Sequence, residues 1–325
     1  MPRPADPPAL DAERLLTRSE RPLVIGIGGG GDVVGALATA EACRVYGTAG
    51  PILGGVTWER RPIDPAPGPR RVDEIEDARE LAAGILAARA ETRVRASGVR
   101  FAEARMAELL GEEVVLVDPN VGARGVAAGL AAAARALGAD LIVFVDVGGD
   151  ALAHGEEPGL ASPLCDAVLL AAAARLAADG HPVLGAIFGP GCDGELSLGE
   201  LEARISEVAA AGGLAGARGI TPEIAERLRE AVASIPTEAS AQALRAFDGE
   251  LGTVTIRRGR RSLRLSPVAA MTVYFDVPAA LRSAARLAAA VVDTDSLEDA
   301  NDVLHSLGVR TELDLEREAA APSRE

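Results

Sequence analysis

Short apolar runs alternate with longer segments of helical period through the first two thirds of the chain. The runs are Pro22–Gly28 (PLVIGIG), Pro51–Thr57, Glu113–Val117, Asp140–Asp150 (DLIVFVDVGGD) and Pro182–Phe188. In the fourth, Leu141 to Val147 is apolar except at Asp146 and mostly β-branched or aromatic, the composition of a strand buried on both faces of a parallel sheet. After the first run, Val33, Val34, Leu37, Ala40 and Val45 share a helix face. Val72–Ala90, Phe101–Leu110 and Ala123–Leu137 also have helical period, and Ser162 with Pro163 opens a helix to Ala178. Another helix begins near Leu198. Further on, Pro222–Ser234 and Thr237–Phe247 read as helices, Gly252–Ile256 and Ser262–Leu265 as a hairpin around the basic turn RRGRR, and Met271–Asp276 as a strand. Helices at Pro278–Ala290 and Ser296–Leu307 follow.

Strands alternating with helices predict an α/β fold: a Rossmann-like, open, mainly parallel sheet flanked by helices, with a small β-hairpin embellishment in the C-terminal third. The expected organisation is a flexible N-terminal segment at 1–20, with a short helix from Asp11 to Thr17, one α/β domain at 21–315, and a loose tail at 316–325. The proline-rich piece Pro62–Pro69 reads as a stiff loop.

In such a sheet the C-terminal strand ends share one edge, where ligands bind. The runs deliver Asp32, Glu59, Asp118 with Asn120, Asp146 with Asp150, and Asp193 with Glu195 to that edge, seven carboxylates in all. Two carboxylates about 4 Å apart repel by roughly 4 kcal/mol at an effective dielectric near 20, so a cation or a shared proton is expected among them. Carboxylate oxygens select hard cations, hence Mg2+ or Mn2+, with calcium also possible. His154, His181 and His305 lack paired spacing and the cysteines are isolated, which disfavours zinc. The metal ligands expected are Asp32, Asp146, Asp150 and Asp193, with Asp193, Glu195 or Glu59 as base or outer ligand. Gly28, Gly29, Gly30, Gly31, Asn120, Gly148 and Gly149 are the candidate donors to a phosphate.

Gly26, Gly28 and Gly31 satisfy G-x-G-x-x-G after a strand, the pattern of a dinucleotide-binding turn. Four successive glycines meet many such patterns by chance, and no acidic ribose reader stands cleanly at the required distance. Asp32 inside the turn would repel a phosphate unless a divalent cation bridges the two. The alternative is a tight turn with Asp32 capping the helix. Asp118 reads equally well as a cap and Cys192 as a small buried residue, and the roles of His154 and of Glu238, in the first turn of a helix, stay open.

Composition narrows the classes. A formal net charge of −15 and few aromatic residues (one Trp, two Tyr, five Phe) argue against nucleic acid as a partner. No lysine occurs, and all 33 basic residues are arginine. This excludes a phosphate-binding P-loop lysine, a Schiff-base lysine and a lysine base. It also resembles the codon bias of a GC-rich genome, so arginine clusters are discounted as signals. Cys43, Cys165 and Cys192 suggest no disulfide framework, the start lacks the apolar core of a signal peptide, and no run reaches the ~18 apolar residues of a membrane span. A cytoplasmic protein without membrane contact is expected.

The motifs GIGGGGDVVGALATA, GGVTWER with DPAPGPR, DVGGDAL, SPLCDA, GCDGEL and PTEAS occur in this order. With them the chain, from about Pro22 to Val309, resembles the domain-of-unknown-function 1152 family of archaeal and bacterial proteins. The resemblance implies a Rossmann-like α/β fold with an acidic cleft and brings no catalytic residues to carry over. Total lack of lysine and alanine-rich helices depart from many archaeal relatives, at surfaces rather than in the cleft.

The function expected is that of a divalent-metal-dependent hydrolase, a phosphatase acting on a small phosphorylated metabolite. The alternatives are a nucleotide-binding transferase or ligase using the glycine turn and a metal, and a non-catalytic sensor of a small or metal-complexed ligand. A homo-oligomer is compatible with the sequence.

Overall fold

The strand at Leu141–Val147 lies mid-sheet with every residue buried, as its composition requires. The structure, a computed structural model, describes residues 10–48 and 50–321. Eleven strands are present among them: β1 Pro22–Gly26, β2 Ile52–Val56, β3 Ile75–Ala82, β4 Ile85–Val94, β5 Val114–Val117, β6 Leu141–Val147, β7 Val183–Phe188, β8 Leu214–Gly219, β9 Gly252–Ile256, β10 Arg261–Leu265 and β11 Met271–Phe275. Nine form one sheet in the order β3-β4-β5-β2-β1-β6-β7-β11-β8, and β9 pairs with β10 in a separate antiparallel hairpin. The five strands β5-β2-β1-β6-β7 run parallel, and β4, β3 and β11 lie antiparallel to their neighbours. The fold is thus α/β, with a mixed sheet whose centre is parallel. Chain order reverses between β1 and β6, and a crevice opens at the C-terminal ends there.

Strand periodicity sets what each face touches. On β6, Ile142 and Phe144 join the core beneath the helices Gly122–Leu137 and Pro163–Ala178, while Val143, Val145 and Val147 join that beneath Asp32–Val45 and Pro222–Ser234. Asp146 has the parity of Phe144 and so shares a face with the helix Pro163–Ala178. That helix is apolar nearly all round and buried along most of its length, as sandwiching between sheet and outer helices demands.

Several expectations are corrected. Val72–Ala90 is not helical: β3 and β4 form a hairpin through Ala83 and Gly84, the latter at φ +74°. Its Ala, Glu and Leu residues suit a helix, but β4 finds an open edge on β5 and pairs there. β8 was not anticipated, and Pro278–Ala290 is two short helices, Val277–Arg282 and Arg286–Ala290. Within the expected loose tail, residues through Ala320 belong to a helix, Glu312–Ala320, with Glu312 and Glu316 buried; residues 322–325 lie outside those described. At the other end Ala12–Arg18 is a helix burying Ala12 and Leu16, so this part of the segment called flexible is packed, and residues 1–9 lie outside those described. Among the described residues no helix is long and apolar enough to cross a membrane.

Candidate functional site

A cavity of about 270 Å3 occupies the crevice beyond β1 and β6. Its floor is acidic. Asp146, near the end of β6, meets Asp166 from the first turn of the helix Pro163–Ala178 and Asp32 from the first turn of Asp32–Val45; one oxygen of each lies within 4.8 Å of the others. Beside them Asp150, Asp193 and Glu195 form a second trio with the same closeness. Asp150 follows the left-handed pair Gly148 and Gly149, and a Cβ at Gly148 would stand 2.2 Å from the Asp193 carboxyl carbon. Only glycine lets the two loops approach so far.

Bonding is uneven across the floor. Asp32 Oδ2 accepts from Gly28 N–H (2.9 Å), Asp146 Oδ2 from Ala151 N–H (3.0 Å), and Asp193 Oδ2 from Glu195 N–H (3.2 Å). Asp150 Oδ2, Asp166 Oδ1 and Asp193 Oδ1 are buried with no hydrogen-bond partner among the described residues. Burial, followed by the neighbouring carboxylates, pushes Asp146, Asp150 and Asp166 well above the ordinary aspartate range. Burial takes Asp32 up to about 7 against the pull of Gly28 N–H and Arg60, and burial with Glu195 takes Asp193 to about 8.

Glu195 differs from the rest. Burial pushes it upward, but Arg261, the Ser162 hydroxyl and Ala161 N–H outweigh that and hold it below the ordinary value. It accepts from Ala161 N–H (2.7 Å), Ser162 N–H (2.9 Å), Ser162 Oγ and Arg261 Nη1 (2.7 Å). It is an ionised anchor for the loop and for Arg261.

Arginines and the C-terminal helix make the walls. Arg60 stacks on Trp58 with 4.2 Å to the ring centroid, donates to Gly28 O (2.6 Å) and pairs with Glu312 (3.2 Å). Glu312 also accepts from Leu164 and Cys165 N–H (3.0 and 2.9 Å), capping the helix that carries Asp166. Glu316 accepts from Trp58 Nε1 (3.0 Å) and Gly68 N–H (2.8 Å). The β9–β10 hairpin adds Arg257, Arg260 and Arg261 to the lining.

Of the seven carboxylates expected on this edge, Asp32, Asp146, Asp150, Asp193 and Glu195 line the cavity. Glu59 does not: it is buried outside the cavity lining and accepts from Ala102 N–H at the start of the helix Ala102–Leu110. Asp118 caps its own turn, accepting from Asn120 N–H (2.8 Å), and β5 lies two strands from β6's switch-point partner β1. Asn120 spends its amide on Asp118 and Pro69 O, and so reaches no cavity ligand.

The glycines serve shape more than donation. Gly28 and Gly29 line the cavity, but Gly28 N–H is given to Asp32 and Gly30 N–H to Trp58 O (2.8 Å). Gly31 is small because Thr237 packs where its Cβ would be, at 2.3 Å. Gly148 N–H bonds Phe188 O (3.0 Å), and Gly149 makes room for Leu201. His154 pairs with Glu207 (2.8 Å) and the three cysteines are buried and free.

Asp166, Glu312, Glu316 and the hairpin arginines were not anticipated at the site. A signal existed for Asp166, the one charged residue in its helix ahead of Arg175. None existed for Glu312, whose place depends on the last helix folding back.

The all-oxygen floor, with its orphaned atoms and no histidine or thiolate in either trio, fits hard divalent cations rather than zinc. A family model described as "Protein of unknown function (DUF1152)" matches residues 23–320. No curated protein and no solved structure matches the chain.

Proposed function

Since the chain belongs to the DUF1152 family, a membership that brings no reaction with it, we propose from the cavity that the protein is a divalent-metal-dependent phosphohydrolase acting on a small phosphorylated metabolite. The observation that carries this reading is the pair of adjacent carboxylate trios, three of whose buried oxygens lack partners, lining one small cavity together with arginines. Asp32, Asp146 and Asp166 would hold one Mg2+ or Mn2+, and Asp150, Asp193 and Glu195 a second. Bound there, the cations would lower the pKa of a water and draw charge from phosphoryl oxygens.

The chain's own groups do the rest. Arginines in the lining supply positive charge and charge-assisted hydrogen bonds for a phosphate. Of the three carboxylates considered as base, Asp193 alone keeps an unpartnered oxygen at the cavity. The volume is below the usual ~300–1,000 Å3 of drug-sized sites, which favours a small substrate. Nucleotides stay in the screen because the cavity sits at the sheet's switch point, although two amides of the glycine turn are already spent.

Calorimetric titration with Mn2+ and Mg2+, then phosphate release from a panel of phosphorylated metabolites, tests the proposal. Wild type should bind the metal and release phosphate, and Asp150→Asn should lose both. Absence of metal binding, or turnover indifferent to Asp150→Asn, would sink it. Stabilisation by a panel member without any product would point to the sensor.

A further inference from the structure

The hairpin β9–β10 stands apart from the main sheet, and its turn contributes Arg257 and Arg260 to the cavity lining. Arg257 and Arg258 adopt left-handed φ of 51° and 56°, a costly conformation for residues with side chains that persists where surrounding structure enforces it. The enforcement at Arg257 is visible: its N–H donates to the carboxylate of Glu238, in the PTEAS segment ahead of the helix Ala239–Phe247. Arg260 adds a bond from Nε to Arg257 O (3.2 Å).

Five arginines line the cavity and four have employment. Arg60 pairs with Glu312, Arg261 with Glu195 (2.7 Å), Arg61 donates to Pro65 O (2.8 Å) and Ala319 O (3.1 Å), and Arg260 to Arg257 O. The guanidinium of Arg257 has no hydrogen bond or ion pair among the described residues. Burial, then the nearby charge of Arg261, pushes its pKa below that of an ordinary guanidinium. A half-buried cation that lines a cavity, with Glu195 and Asp193 near but bonded to neither, has its whole donor fork open to an anion.

We propose that Arg257 is the anion-binding residue of this cavity, its planar fork receiving two oxygens of a phosphoryl group across from the aspartate floor, with Glu238 as the residue that positions it. This deepens the phosphohydrolase reading and rests on it for the nature of the anion. Arg60, Arg61 and Arg261 each commit Nη groups to existing contacts, and Arg260 is exposed, whereas Arg257 is half-buried with its whole guanidinium uncommitted.

The test is calorimetric titration of the full chain with inorganic phosphate, with and without saturating Mn2+, and with Mn2+ alone. Wild type should bind phosphate, and Arg257→Gln should weaken this at least about tenfold, the scale of one lost charge-assisted bond pair, while leaving manganese affinity and melting unchanged. Arg257→Lys, which keeps charge but loses the fork, should fall between and guards against a misfolded glutamine variant. Glu238→Ala should weaken phosphate but not manganese, and Glu238→Gln, whose amide oxygen still accepts, should restore it. Phosphate binding equal in wild type and Arg257→Gln, none in wild type, or joint loss of manganese would each overturn the assignment. Arg257-dependent phosphate binding without any manganese binding would sink the phosphohydrolase reading and leave this one. Manganese binding with Arg257-independent phosphate would do the reverse.

Discussion

Replacing Asp193 with asparagine probes the electrostatics of the floor directly. Its Oδ2 accepts from Glu195 N–H at 3.2 Å, which an amide oxygen can also do, while Oδ1 has no partner to lose. An ionised neighbour within 4.8 Å costs at least roughly 3 kcal/mol at an effective dielectric near 20. Without metal, the folded chain avoids this by keeping a proton: burial, then Glu195, raises Asp193 from 3.8 to about 8. The folded state therefore binds more protons than the unfolded state between about pH 4 and 8, and stability falls as pH rises through that window. At ~1.4 kcal/mol per pH unit the loss reaches on the order of 4 kcal/mol by pH 7 from this one group. Asp193→Asn holds no such proton. Its advantage over the native chain should grow from near zero at about pH 4, pass on the order of 4 kcal/mol near pH 7, and level off above pH 8. Urea denaturation in chelator across that range measures the difference, and saturating Mn2+ should restore the native chain while gaining the variant little. Metal-free stability that stays flat with pH, or a variant weaker than wild type throughout, would refute the reasoning.

Two further substitutions reach the frame around the floor. Glu312→Ala removes the cap of the helix bearing Asp166 and leaves Arg60 without its nearest carboxylate, so urea unfolding should show a loss of roughly 3–5 kcal/mol. Gly148→Ala places a Cβ 2.2 Å from the Asp193 carboxyl carbon at a backbone φ of +119°; it should destabilise by roughly 1–3 kcal/mol and weaken Mn2+ binding measured by calorimetry. Unchanged Mn2+ affinity in Gly148→Ala would mean Asp193 is free to move and is no ligand.

What the chain dictates locally was legible in advance. A run such as Leu141–Val147 is too apolar and too β-branched to sit anywhere except inside a sheet, and its parity alone decides where Asp146 points. Ser162 and Pro163 mark a helix start whatever surrounds them, although the Ser162 hydroxyl bonds Glu195 instead of capping. Strand ends with carboxylates implied an acidic edge because parallel strands share their C-terminal side. What required the folded molecule was distance between segments far apart in the chain. Val72–Ala90 has helix-forming residues, yet became a hairpin because β5 offers unpaired backbone groups; Gly84 in mid-segment was the one local warning. Glu59 and Asn120 follow strands like their neighbours, but hydrogen bonds to Ala102 and Asp118 turn them aside. Arg257 and Glu312 arrive from a hairpin and a last helix whose docking no local pattern encodes. Local preference is written in each segment's own side chains, whereas a binding cavity is a meeting of segments, fixed only when their backbones and charges find partners across the whole fold.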